Sequence, residues 1–444
     1  MSTSAYAPQA DHGPVNLVKN DEEALALATA LAEDFAKEAS IRDRDRRLPI
    51  PELKKITQSG LWGITVPKAY GGAEVSYATL AKIFAIFSKA DGSIGQIPQN
   101  HYFVIEILRE HGTEEQKKIF FERVLAGDHF GNALAELNVK KPEDRKTSIV
   151  AEGEDQYRVN VRKYYATGAL YADWIPTALN GEDKKQRYLA FFPRRFQGLA
   201  VIDDWAALGQ RTTASGSVIL ENALIEKRYV VSYLDNNERV APVGPIGQIM
   251  HAAIDAGIAR AAFEAAIAFI RGRNPKKPDA AADAGWEEDQ LTIREFGDLA
   301  LALHGAEALL ERAGKSIDHA YASGADEDWK KAAIAVSEAR ASSTHAALLI
   351  TNKLFEFSGT QSTALHLNLD RYWRDARTHT LHDPVRWRLF DVGNFYLNDK
   401  APLRRHFNQI EKQQENQQGG AVPEGAAAGD AIATEPIRAV AAAS

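Results

Sequence analysis

From Glu22 the apolar residues fall at helical spacing, with Leu25, Leu27, Ala28, Leu31, Phe35 and Ala36 largely on one face. Leu53, Ile56 and Leu61, placed after Pro49 and Pro51, predict a second helix, because proline suits the first turn of a helix and not its interior. Val66 to Ala73 contains a proline and paired glycines and reads as a turn, after which helical patterning resumes through Leu80, Ile83, Phe84 and Phe87. A further helix runs from about Asn100 through Ile105 and Leu108 to near Gly112. Thr113, with Gln116 three residues on, has the pattern of a capping box for another. After Asp128 the period shortens. Segments 148–151, 157–161, 188–192 and 217–220 are short, β-rich and separated by Gly, Asn or Asp, which predicts a compact antiparallel β domain. Helical spacing then returns: Leu299, Leu303, Ala306, Leu310, Ala313 and Ile317 alternate steps of four and three, and Ile334, Ala341, Leu348 and Phe355 recur every seven. With a helix from about Gly247 to Arg271, these predict a C-terminal bundle of about four antiparallel helices.

The order is therefore α+β: a helical domain over 22–129, a β domain over 130–240 and a helical bundle over 241–412. A loose leader is expected over 1–21 and a disordered Gln/Gly/Ala-rich tail over 413–444. A chain of 444 residues, 45% hydrophobic and 25% charged, can fill two or three such cores. The net charge of -7 gives no electrostatic reason to expect nucleic acid or an anionic membrane as partner. The absence of cysteine excludes disulfides, thiolate nucleophiles and zinc–thiolate sites. No apolar run has membrane-spanning length, and the first residues lack the order of a secretory signal, so a cytoplasmic enzyme is expected.

Chemically able side chains concentrate between Arg371 and Pro384. Arg371, Arg374 and Arg377 share one helix flank, and His379 and His382 repeat the spacing. Pro384 disfavours helical geometry at Asp383 and is expected to end the helix there. Tyr372, Trp373, Leu381 and Trp387, threaded among the charges, argue for partial burial, and buried charge needs a partner such as an anionic cofactor. The plain alternative is a solvated basic face with a satisfied histidine pair. Asn132 and Thr167 sit where the β domain begins and its second strand ends. A threonine hydroxyl both donates and accepts, so it suits a ring nitrogen that gains and loses a proton, although a strand-end turn uses threonine too. Thr213, Ser215 and Ser217, alternating with Ala214 and Gly216, offer hydroxyls and amides to a phosphate, or form only a hairpin. Trp205, taken alone, reads as β-domain core. Arg271 and Arg273, at the end of the first bundle helix, complement its dipole by default.

Over roughly residues 22–410 the chain resembles the acyl-CoA dehydrogenase superfamily, and within it the flavin-dependent monooxygenase branch that includes dibenzothiophene monooxygenases and sulfur-acquisition oxidoreductases. The likeness is carried by Gln96-Ile97-Pro98-Gln99-Asn100-His101, by 130–136 (Phe-Gly-Asn-Ala-Leu-Ala-Glu), by Tyr165-Ala166-Thr167-Gly168-Ala169, by Asp203-Asp204-Trp205 and by 209–217. The resemblance implies that Thr167 meets the reactive edge of an isoalloxazine and that Asn132, Trp205, Thr213, Ser215, Ser217 and His379 line the flavin. It also implies that Arg271 or Arg273 reaches a flavin phosphate across a subunit interface in a homotetramer. Where acyl-CoA dehydrogenases carry a glutamate base, this chain reads Leu381-His382-Asp383-Pro384. Asp383 is one methylene shorter and locked before proline, which disfavours reach to a thioester α-carbon. The monooxygenase branch carries His-Asp-Pro at this place, and the resemblance implies that His382 is the catalytic group, with Asp383 setting its tautomer or binding flavin. The implied reaction is oxygenation through a flavin hydroperoxide, with FMN reduced by a separate flavin reductase; FAD-dependent acyl-CoA dehydrogenation is the alternative. Gln96, Asn100 and His101 are the expected substrate side, and their polarity favours a small organosulfur compound over a bulky thiophene.

Overall fold

Asn20 caps the first helix by accepting the Glu23 amide at 2.9 Å, and α1 (Asp21–Ala36) opens with three acidic residues, where the helix dipole favours them. The computed structural model describes residues 12–136, 147–181, 186–234, 241–272 and 289–402. The helical layer continues with α2 (Ala39–Asp45), α3 (Ile50–Ser59), α4 (Tyr77–Ala90), α5 (Gly92–Gln96), α6 (Gln99–His111) and α7 (Glu114–Leu125). Leu80, Ile83, Phe84 and Phe87 of α4 are all buried, and the Thr113–Gln116 capping box is present in both directions. The expected loose leader is, from His12 onward, laid against this layer. Asn16 donates its amide to the Gln58 carbonyl at 3.0 Å, Val18 is buried, and His12 meets Asp128 at 3.0 Å. These bonds join residues far apart in the chain, so local spacing does not reveal them.

The β strands are β1 (Ser148–Glu152), β2 (Gln156–Lys163), β3 (Trp174–Asn180), β4 (Gln186–Pro193), β5 (Ala200–Ile202), β6 (Ser217–Glu226) and β7 (Val230–Leu234). They form one sheet in the order β1-β2-β6-β5 and another in the order β3-β4-β7, with antiparallel pairing throughout. The four segments legible in the sequence lie in β1, β2, β4 and β6. In β3, the run from Trp174 to Thr177 is buried without a break, so it shows no alternation.

The bundle comprises α8 (Val243–Gly272), α9 (Gln290–Ser323), α10 (Asp326–Ser358), α11 (Asp370–His379) and α12 (Val385–Asn398), with α4 of the first layer packed on α8 and α9. All six apolar positions predicted on α9 are buried. On α10 the seven-residue series drifts off the core. Ile334 and Ala341 are buried, Leu348 and Phe355 only partly, and Ala347, Ile350 and Leu354 take over. A helix of 3.6 residues per turn rotates such a repeat by about 20° each time. The end of α11 also differs from expectation: the helix stops at His379, and His382 lies in a following turn with its amide on the His379 carbonyl at 3.0 Å. Pro384 disfavours helical geometry at Asp383, which by itself does not set a stop at His379. The helix ends earlier because both ring nitrogens of His379 are held by α8, and the chain leaves that anchor in a turn. The expected tail lies outside the described residues.

Candidate active site

Two constellations meet on α11. The first is a string of hydroxyls: Thr167 Oγ1 lies 2.8 Å from Ser215 Oγ, which lies 2.8 Å from Thr213 Oγ1, which donates to the Gln210 carbonyl at 3.0 Å. Each hydroxyl has one proton, and a carbonyl can only accept. Thr213 therefore gives its proton to Gln210, Ser215 to Thr213, and Thr167 to Ser215, so Thr167 is left with lone pairs to offer and no proton. The backbone that holds this string is strained. Tyr165, Gln210 and Ala214 all have positive φ (57°, 46° and 47°), a region that costs non-glycine residues about 1 kcal/mol or more each and recurs at functional sites. Trp205 donates its indole N–H to the same Gln210 carbonyl at 3.0 Å, with the Tyr165 ring edge-on at 6.2 Å. Beside it is a recess of about 420 Å³ bordered by Trp205, Asp203, Asp204, Arg46 and Arg211.

The loop carrying Gln210 is clamped to α11. A side chain at Gly209 would fall 1.9 Å from the Arg374 carbonyl oxygen, so only glycine permits this approach. The Gln210 amide donates to Asp375 Oδ1 at 2.6 Å, and burial, then Asp43, pushes the Asp375 carboxyl up to about 7. Arg374 grips both oxygens of Asp43 in α2 at 2.9 and 2.5 Å, Asp370 at 2.6 Å and the Leu208 carbonyl at 3.0 Å. The arginine expected to face an anionic cofactor is thus paired within the protein, by a carboxylate 331 positions away in the chain.

The second constellation begins one turn along α11 from Asp375. His379 Nδ1 lies 2.5 Å from Asp255 Oδ1, and its Nε2 lies 3.0 Å from His251 Nδ1. The second Asp255 oxygen takes Arg340 and, at 2.8 Å, the Thr344 hydroxyl. The His251 ring lies 4.1 Å from that of His382. Asp255, His379, His251 and Arg340 are all 2% exposed or less. Burial works against the Asp255 charge, but Arg340 and His379 outweigh it and hold the carboxyl below its usual range. Burial keeps His379 neutral in spite of Asp255, and burial with its His382 and His379 neighbours holds His251 well below the usual imidazole range. His382 keeps open surface on one side, yet the protein packed around its other side, then His379 and Arg340, draw it down to about 4.

The remaining expected residues divide. Asn132 accepts the Leu134 amide at 2.9 Å through its side chain and gives its own amide to the Thr167 carbonyl at 3.1 Å, so it adjoins the hydroxyl string. Gln96 is buried with its carboxamide oxygen unpartnered, and the neighbouring Ile97 lies against Gly168. Asn100 donates to the Gly131 carbonyl at 2.6 Å. His101 is fully buried, with Nδ1 accepting the Phe130 amide at 3.0 Å and Nε2 on the Trp62 carbonyl at 2.8 Å. No ring nitrogen of His101 remains for a substrate, and burial lowers its pKa to about 3. Ser217 gives its amide and hydroxyl to Asp204, both at 2.7 Å, which sets a carboxylate where a phosphate was expected. Asp383 does not orient His382: its carboxylate takes Arg388 at 2.9 and 2.6 Å. Arg271 is exposed at the end of α8, and Arg273 lies outside the described residues.

Two family profiles match the chain: the acyl-CoA dehydrogenase N-terminal domain over residues 20–128 and the acyl-CoA dehydrogenase C-terminal domain over 249–387. A dibenzothiophene monooxygenase of Rhodococcus qingshengii is 30% identical over 400 residues, covering 86% of this chain and 95% of the relative. A probable FMNH2-dependent monooxygenase, SfnC, of Pseudomonas putida is 30% identical over 389 residues, covering 85% and 96%. The crystal structure of FMN-bound TdsC from Paenibacillus sp. A11-2 superposes with a TM-score of 0.80 at 26% identity, covering 86% of this chain and 99% of the other. The chain belongs to the acyl-CoA dehydrogenase family. Within that family it is a flavin-dependent oxidoreductase of the monooxygenase branch.

Sequence reasoning missed His251, Asp255 and Arg340. The signal was present: His251 and Asp255, four apart, interrupt an α8 in which nearly every other residue of that stretch is small or apolar. Ionisable groups in such a helix are rare unless paired.

Proposed function

We propose that this protein is a reduced-FMN-dependent monooxygenase of the two-component type, acting on a small organosulfur compound with FMNH2 from a separate flavin reductase. The monooxygenase activities of its relatives support the class, and the residues present fit the cofactor. Thr167 offers a lone pair to a ring N–H, which suits the reduced flavin, whose reactive edge carries a proton that the oxidised ring lacks. The Gln96 carboxamide oxygen is buried and unpartnered, a group that needs a polar partner.

Bound reduced FMN supplies the electrons that activate oxygen. The chain binds it through Thr167, Asn132 and Trp205, and Gln96 borders the substrate. His382, neutral at physiological pH, holds or passes a proton at its ring nitrogen beside the reacting atoms. Behind it His251 and His379 are buried, which keeps that side of the ring away from water. The tethering of Asp383 carries the choice of reaction. Acyl-CoA dehydrogenation needs a free carboxylate over the ring, and Asp383 is bound by Arg388 while the His379 and His251 imidazoles are buried and held toward their neutral form. A homotetramer belongs to the same proposal. Leu291, Ile293 and Leu301 of α9 and Tyr396 and Leu397 of α12 are exposed apolar side chains suited to subunit contact. The test is to supply enzymatically reduced FMN with sulfides, sulfoxides and sulfones in air, and in parallel acyl-CoA with an artificial acceptor without oxygen. Oxygenated product in the first arm alone is expected; acyl-CoA oxidation in the second would overturn the assignment.

A further inference from the structure

Asp255, His379 and His251 form a chain whose proton positions can be counted. Asp255 is an anion that only accepts, so His379 carries its proton on Nδ1 and leaves Nε2 bare. His251 must then donate from Nδ1 to that nitrogen, which leaves the Nε2 of His251 unprotonated. The result is a directed wire. It ends on a buried carboxylate at one side and a bare imidazole nitrogen at the other, in a ring that touches His382.

We propose that this Asp255–His379–His251 wire is a proton store behind His382, an inference that rests on the monooxygenase reading above. When His251 Nε2 takes a proton, the proton on its Nδ1 passes to His379 Nε2. The added charge then rests on His379 as an imidazolium against the Asp255 carboxylate, which Arg340 and Thr344 hold in place. Return of the proton reverses each transfer. The overall reaction balances with such a loan: FMNH2, oxygen and a sulfide give FMN, the sulfoxide and water, so a proton carried in on the flavin leaves in water. The wire keeps that proton within the buried Asp255–His379–His251 chain instead of releasing it to solvent. Arg340, Arg388 and Asp383 are the other charged groups around these rings, and none competes for the nitrogens of the wire. Asp255, His379 and His251 are positioning residues, and His382 is the group that meets the reacting atoms.

The test has an arm that needs no flavin. In apo protein with 15N-labelled histidine, NMR is expected to show Nδ1–H tautomers at both His379 and His251 and a far-downfield N–H at His379. Asp255→Asn should abolish that downfield resonance. An Nε2–H tautomer at His251 would overturn the proposal. In the second arm, His251→Gln should bind reduced FMN within about twofold of wild type yet lose coupled oxygenation by about 10²-fold, the usual weight of a positioned proton-transfer group, with hydrogen peroxide released instead. Full coupling in His251→Gln, while wild type oxygenates sulfur, overturns the wire alone. If wild type oxygenates nothing, the monooxygenase reading falls, and the NMR arm still decides the wire. Asp255→Asn serves in both arms should His251→Gln not fold.

Discussion

Replacing Arg374 by methionine tests how the site is assembled. Arg374 and Asp43 are 14% and 9% exposed at their side chains, and the guanidinium meets both carboxylate oxygens. Removing one partner of a buried pair leaves the other charge without compensation, at about 3–5 kcal/mol. The residual exposure of Arg374 and the bond from Asn368 to Asp43 at 2.9 Å place the expected loss near the lower end, about 3 kcal/mol. Because Arg374 also holds the Leu208 carbonyl beside the loop that seats Gln210 and Trp205, the same change should weaken FMN binding. The assay is urea unfolding of Arg374→Met, Asp43→Asn and the double variant, with FMN titration of each. The double variant should be more stable than Arg374→Met alone, because the orphaned charge is gone. A loss below about 1 kcal/mol for Arg374→Met, the level of a surface pair, or strict additivity in the cycle would mean that Arg374 and Asp43 do not act as a buried pair.

Three further outcomes follow from the same geometry. Thr167→Val removes the only group that ends the hydroxyl string and should weaken reduced-FMN binding up to about tenfold, while Thr167→Ser keeps it; equal affinity in Val and wild type, by anaerobic titration, would contradict the proposed contact. His101→Ala should cost about 3 kcal/mol in urea unfolding, through two lost backbone partners and a cavity, yet leave the substrate KM of folded enzyme unchanged; a raised KM at unchanged stability would mean that His101 faces substrate. The raised Asp375 pKa means that the folded state holds a proton that the unfolded state has lost. Its contribution to stability therefore falls as pH rises from about 4 to about 7, and Asp375→Asn should be more stable than wild type at pH 8, by up to about 4 kcal/mol, but not at pH 4. A pH-independent difference between the two proteins would contradict this.

The domain order was legible because period-three-to-four and period-two patterns need no knowledge of contacts, and the capping box at Thr113 and Gln116 is a local code. The seam of α10 departs from the seven-residue series because that repeat outruns a 3.6-residue helix. At the site, His379, His382 and Thr167 stood out by their spacing and neighbours, but their partners did not. Arg374 answers to Asp43 and His379 to Asp255, each on another helix, and Ser217 answers to Asp204 in the loop that precedes its strand. The Arg row therefore read as a cofactor-facing surface when one of its members is an internal tie. Asp383 read as the partner of its neighbour His382 because chain adjacency is visible and the reach of Arg388 around the turn is not.

The proposed role of His382, in the turn that follows α11, is to keep oxygen chemistry on the path to product. It is tested most directly by counting oxygenated sulfur product against reduced FMN consumed, in wild type and in His382→Ala, with hydrogen peroxide measured alongside. The variant should still bind reduced FMN and consume it, but divert nearly all of it to peroxide, with coupled product down about 10²-fold. Undiminished product per FMNH2 in His382→Ala would contradict it.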